Sequence, residues 1–277
     1  MLATEPSVSA GVPDHVIRIG TAGWAIPSRY QEVFPGEGTA LQRYAGLLNV
    51  AEINSSFHRH HREQTYERWA ASVPKGFRFS VKIPRALTHA GALTPDAEVL
   101  ARFAGEIRGL GARLGVLLIQ LPPKLEFDAA AATRFFKALR KRVDVPLALE
   151  PRHPSWGALR ADRLLSRSRV ARVAADPAPW SGGEFPAGHT GLAYFRWHGQ
   201  PRKYYSDYDP ERLAGLARQV TAAARMSADV WVIFDNTAHG HALGNALALE
   251  RRSGEATRNA APPPAPTAPS CGIARPP

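Results

Sequence analysis

Eight short apolar runs of strand type punctuate the chain: VIRIG (16–20), VAEIN (50–54), RFSVK (78–82), GVLLIQ (115–120), PLALE (146–150), VARVAAD (170–176), LAYFRWHG (192–199) and DVWVIFDN (229–236). Between most of them the apolar residues change to a helical period, as in LQRYAGLL, EVLARFAGEIRGLGARL, ATRFFKALRKR, DRLLSR and PERLAGLARQVTAAARM. Strands alternating with amphipathic helices predict a parallel sheet built by right-handed crossovers. Eight such units within residues 16–250 fit an α/β fold of a single TIM-type (β/α)₈ barrel. A doubly wound open sheet is the competing arrangement, but no GxGxxG phosphate loop follows the first strand, where GTAGW stands instead.

In such a barrel the site lies at the C-terminal strand ends. Those ends carry Asn54, Lys82, Gln120, Glu150, Asp176, His198 and Asn236, while the first strand closes on Trp24. Period-2 alternation refines the picture. Arg196 and His198 share one face of the seventh strand, opposite Phe195 and Trp197, and the aromatics suit the layer between barrel and helices. By the same parity Ser80 with Lys82, and Glu52 with Asn54, point inward. Buried charges need partners, so Lys82–Glu150 and Arg196–Glu52 are expected pairs. A polar ring of this kind could be purely structural, yet its confinement to one end of the strands favours ligand binding or catalysis.

The apolar fraction of 44% is ample for one large core. The net charge is +11; the first 15 residues are acidic and the last 27 only mildly basic, so nearly all the excess belongs to the body. Such a body attracts phosphates, nucleic acid or acidic metabolites. Residues 1–15 read as a flexible leader without the features of a signal peptide, and residues 251–277 as a disordered Pro/Ala-rich tail. No apolar run is long enough for a membrane span. The single cysteine, Cys271, makes no internal disulfide, and a cytoplasmic setting fits.

The segments GTAGW, EINSSFHR, FSVKIPRALTH, LLIQLPP, ALEPRHPSW, FRWHG and FDNTAHGHALGNAL occur in that order. Together they resemble the YecE-like proteins, a family known as domain of unknown function 72. The resemblance spans about Ile17 to Leu249 and implies a TIM-type barrel, but no reaction. Family positions matched here are Asn54, Lys82, His89, Gln120, Glu150, Arg152, His153, Trp156, Asp176, His198 and Asn236. Two departures stand out: His58 replaces the usual tyrosine, and AIPSRYQEVFP lacks the family's Trp-x-Gly. Both implicate the first two loops in ligand selection.

Three chemistries suit these residues. In the first, an enzyme of hydrolase or lyase type acts on a small phosphate-bearing or otherwise anionic substrate. Lys82, Arg85, Arg152 and Arg196 supply positive potential. His198 is the natural acid/base, with Glu150 or Asp176 orienting it or serving as base. Trp24, Asn54, His89, Gln120, His153, Trp156 and Asn236 complete the substrate-binding set, and Arg202 and Lys203 stand in the loop after the seventh strand. Lys82 could also form a Schiff base. In the second, Glu150, Asp176 and His198 hold a divalent metal ion as cofactor, for hydrolysis or isomerisation. In the third, the protein binds nucleic acid without catalysis, through KALRKR (137–142) and RLLSRSRVAR (163–172), with Trp24, Trp156, Trp180, Tyr204 and Tyr205 stacking on bases. The HRHH stretch (58–61) has the composition, but not the spacing, of a tetrahedral metal site.

Overall fold

A computed structural model describes residues 16–259 apart from residue 228. Seven parallel strands follow the predicted runs: β1 (Val16–Ala22), β2 (Val50–Ile53), β3 (Arg78–Lys82), β4 (Leu114–Gln120), β5 (Leu147–Glu150), β9 (Leu192–Trp197) and β10 (Asp229–Phe234). The remaining run, 170–176, is divided at Val173 into β6 (Val170–Arg172) and β7 (Ala174–Asp176). β6 pairs with β5, whereas β7 pairs with β9, so one continuous segment changes partner halfway along and brings the sheet round on itself. The two-residue β8 (Ala187–Gly188) adds an antiparallel edge to β6.

The helices form where the sequence supplies both an apolar stripe and a cap. Asp96 accepts from two amides at the start of α3 (Ala97–Ile107), and Asp128 does the same for α4 (Ala129–Arg140). Asp209 caps α6 (Pro210–Ala224), with Pro210 in the first turn, where no amide is required. The others are α1 (Ala40–Tyr44), α2 (Glu63–Ala71), α5 (Leu159–Arg167) and α7 (His241–Asn259). No helix joins the sixth and seventh barrel positions. The segment 177–191, interrupted by Pro, Gly and Trp, makes the crossover with β8 instead. Gly188, at φ 73°, is required there because a Cβ would stand 2.6 Å from the Val170 carbonyl.

Residues 1–15 lie outside the described residues. The predicted tail boundary at 251 is too early, because α7 continues to Asn259. RRSGEATRN contains good helix formers and no proline, so the helix propagates past the last apolar position. Residues 260–277, Cys271 included, lie outside the described residues. Among the described residues no helix is long and apolar enough to cross a membrane.

The barrel interior is layered along the strands. Val50, Val116, Leu118, Ala148, Ala171, Tyr194, Trp231 and Ile233 form an apolar plug, distinct from the larger core between sheet and helices. Trp231 stacks on Tyr194 at 6.1 Å. Gly115 makes room for it: the β3–β4 register shifts here, and a Cβ on Gly115 would lie 2.4 Å from the Trp231 ring. Above the plug, the same inward faces turn polar. We expect Gly115→Ala to cost about 1–3 kcal/mol through overpacking. Urea unfolding checks this, and Trp231→Leu in the same chain should recover part of the loss.

Candidate functional site

The polar layer is organised by Arg196, which is fully buried. Its Nε and Nη2 donate to Glu52 at 3.0 and 2.7 Å, a two-pronged pairing that suits the planar guanidinium. Nη1 donates to Glu150 Oε2 at 3.1 Å and to Gln120 at 3.3 Å, and Nη2 lies 3.0 Å from Asp235 Oδ2. Tyr194 Oη sits 3.0 Å from Glu52 and 2.9 Å from Ser80 Oγ. The expected Arg196–Glu52 pair is present. The expected Lys82–Glu150 pair is not: Glu150 is taken by Arg152, Arg196 and His198.

Next toward the mouth, His198 is clamped between two carboxylates. Nδ1 lies 2.9 Å from Asp235 Oδ2 and Nε2 lies 2.7 Å from Glu150 Oε1. Arg152 Nη2 reaches both Glu150 Oε1, at 2.7 Å, and His198 Nε2, at 3.0 Å. Burial alone would raise Glu150, but the Arg152, Arg196 and His198 charges outweigh it and hold its carboxyl well below the usual range. Asp235 is likewise raised by burial and lowered overall, chiefly by Arg196.

Lys82 completes the charge balance. Arg152, Arg196 and Lys82 face Glu52, Glu150 and Asp235, three cations against three anions. Its ammonium rests over the Phe57 ring, 4.1 Å from the centroid, and among the described residues no carboxylate comes within 4.0 Å. Burial, followed by the Arg196 charge, pushes it down to about 8 despite the surrounding carboxylates. Two buried polar atoms at this level have no partner among the described residues, Arg152 Nε and Asn54 Oδ1. At the rim, His89 packs on Phe57 and is lowered by burial and by the Lys82, Arg85 and Arg152 charges. Tyr204 meets His198 edge-on at 5.7 Å. Phe57 also borders a cleft of about 370 Å³ lined by His58, Arg59, His60 and Arg85.

Several predicted positions lie elsewhere. Asp176 is paired in register with the outward Trp197; it accepts from Tyr208 at 2.8 Å and from Arg212 at 2.5 Å. It therefore cannot join Glu150 and His198, and the expected metal set is not assembled; among the described residues no group of three His, Cys, Asp or Glu is placed to hold a metal ion. Asn236 ties Ser206 to Asn245 and serves loop packing. Trp156 is fully buried, bonded to the Leu125 carbonyl and packed on Phe127, so it supports the loop without facing the pocket. Trp24 packs between Trp69 and Phe79. His153 caps the turn Pro154–Gly157. Asn54 donates to Asp235 at 3.4 Å and stays in the site.

The residue that sequence reasoning missed is Asp235. Trp231 and Ile233 face inward, so alternation places Asp235, not Asn236, in the pocket. The lowered Lys82 sets a pH dependence. Between about pH 8 and the ordinary lysine value of 10.5, the unfolded chain binds a proton that the folded chain does not. Stability contributed at this residue should therefore rise with pH across that window, by about 1.4 kcal/mol per unit at most. Urea unfolding of wild type and Lys82→Met at pH 7.5 and 9.5 checks it: relative to the variant, the wild type should gain stability at the higher pH.

The family model "Protein of unknown function DUF72" matches residues 18–270. The UPF0759 protein YunF of Bacillus subtilis is 21% identical over 262 residues, covering 83% of this chain and 92% of YunF. YecE of Escherichia coli K12 is 26% identical over 170 residues, 59% of this chain and 60% of YecE. Two solved structures share the fold. A DUF72 family protein of Enterococcus faecalis has a TM-score of 0.73 at 20% identity, covering 86% of this chain and 96% of that one. Another, of Thermotoga maritima, has 0.71 at 23%, covering 86% and 99%. With the family model spanning nearly all of the barrel, the chain belongs to the DUF72 family, whose members share this architecture.

Proposed function

We propose that the mouth of the barrel is the active site of an enzyme of hydrolase or lyase type acting on a phosphate-bearing or other small anionic substrate. The observation that carries this reading is that Glu150 and Asp235, the two carboxylates that clamp His198, also act on Lys82, a buried cation without a carboxylate inside 4.0 Å among the described residues. His198 would carry the proton, Glu150 and Asp235 would orient the ring, and Lys82 would meet the reacting group. Arg85 and Lys203 stand at the rim, and Arg152 Nε is a donor awaiting an acceptor.

A second reading, nucleic-acid binding, draws on a different face. A groove of about 700 Å³ between α3, α4 and α5 is lined by Arg134, Lys137, Arg140, Lys141, Arg142 and Arg167 and by no carboxylate. Phosphate contacts of this type confer salt-sensitive, sequence-independent affinity. Of the tryptophans expected to stack on bases, Trp156 is fully buried and Trp24 is half-buried, edge-on against Trp69.

A thermal-shift series with phosphosugars and short oligonucleotides separates the two. A phosphosugar at about 100 times its Kd should add about 2.7 kcal/mol of stability. Arg85→Ala with Lys203→Ala should weaken that binding, and Lys137→Ala with Lys141→Ala should not. A shift produced by oligonucleotide alone and lost only in the α4 variant would move the function to the outer groove.

A further inference from the structure

We propose that Lys82 is a Schiff-base-forming amine, and that the anionic substrate of this pocket therefore carries an aldehyde or ketone. The inference deepens the reading of the barrel mouth as an active site and rests on it.

The chain has six lysines. Lys75, Lys124, Lys137, Lys141 and Lys203 are exposed, whereas Lys82 is 8% exposed and points into the barrel from the end of β3. A lysine that only balanced charge would be expected to sit on a carboxylate. Lys82 instead rests on the face of Phe57, although Glu52, Glu150 and Asp235 are near enough to act on it. Those carboxylates are each already bonded: Glu52 and Asp235 to Arg196, Glu150 to Arg152 and Arg196. Arg196 thus draws the anions away from Lys82 and adds its own positive charge nearby. Both effects favour the neutral amine, which is the nucleophilic form.

The other requirements of imine formation are also present. The Lys82 nitrogen adds to the carbonyl carbon, and the carbonyl electron pair takes up a proton on oxygen. The carbinolamine then loses that oxygen as water, after a further proton transfer that His198 can deliver, leaving the C=N bond. The protonated imine accepts the electron pair of an adjacent C–H bond as its proton passes to water, leaving an enamine; that carbon then takes up a proton to restore the imine, and water adds to return carbonyl and amine. Phosphate or carboxylate on the substrate would be met by Arg152 Nε, a buried donor without a partner among the described residues. Asn54 Oδ1, also unpartnered and buried, could accept from a substrate hydroxyl.

The test is reductive trapping on the full chain. Protein is incubated with dihydroxyacetone phosphate or with pyruvate in the presence of cyanoborohydride, and every lysine is quantified by peptide mass spectrometry. With at least one probe, Lys82 should be labelled about tenfold more than the mean of the five exposed lysines, consistent with an activated buried amine. Lys82→Arg, which keeps the cation, should abolish that excess. Labelling of Lys82 no greater than that of the exposed lysines with both probes overturns the assignment. Phosphosugar thermal shifts on the same samples separate the outcomes. A shift without Lys82 labelling leaves the anionic active site standing and removes the imine, whereas absence of both removes the two together.

Discussion

The burial of Arg196 is the constraint on which the upper half of this barrel depends. A guanidinium with no solvent contact is tolerable only if its donors are met, and it is surrounded by Glu52, Glu150, Asp235 and Gln120. Those partners come from β2, β5, the end of β10 and β4, so one side chain ties together strands from around the barrel. Once Glu150 and Asp235 are fixed on it, the other Glu150 oxygen, Oε1, and the same Asp235 Oδ2 that meets Arg196 hold His198 from both edges. The same arrangement leaves Lys82 beside anions that are already engaged. The positions of the charged groups at the mouth thus follow from one buried cation.

The division of the interior into an apolar floor and a polar mouth follows from the strand sequences themselves. Along β9 the inward positions run Leu192, Tyr194, Arg196 and then His198, and along β10 they run Trp231, Ile233 and then Asp235. Tyr194 is the hinge between the layers: its ring stacks on Trp231 while its hydroxyl reaches Glu52 and Ser80. Burial pushes this hydroxyl well above the ordinary tyrosine range, with the Glu52 charge acting the same way, so it remains a donor for the network. Trp231, lying over the space left by Gly115, closes the floor of the barrel.

Much of this was legible in the sequence because period-2 alternation is a geometric property of a strand. It put Arg196, His198, Lys82, Ser80 and Glu52 on the inner face, where the structure places them. Asp176 and Asn236 are misplaced for one reason: the last polar residue of a run need not lie on the inward face. Asp176 and Asn236 lie one residue out of phase, and the metal set failed with Asp176. Trp24 and Trp156 could not be assigned to packing or pocket from local pattern, since each is held by residues distant in the chain, Trp69 and Leu125 among them. The missing sixth helix was foreshadowed only by the Pro- and Gly-rich composition of 177–191. Phe57 became relevant only once the loop after β2 was seen to be tethered by Ser56 to the Lys82 carbonyl, a contact that no sequence period encodes.

We place the proposed anion site at the barrel mouth around Lys82 and Arg152. A crystal of the full chain soaked with dihydroxyacetone phosphate tests it most directly. Density for the ligand is expected at the mouth, with an oxygen within hydrogen-bonding distance of Arg152 Nε and the carbonyl carbon against Lys82 Nζ. Ligand density in the groove along α4, with the mouth unchanged, would contradict it.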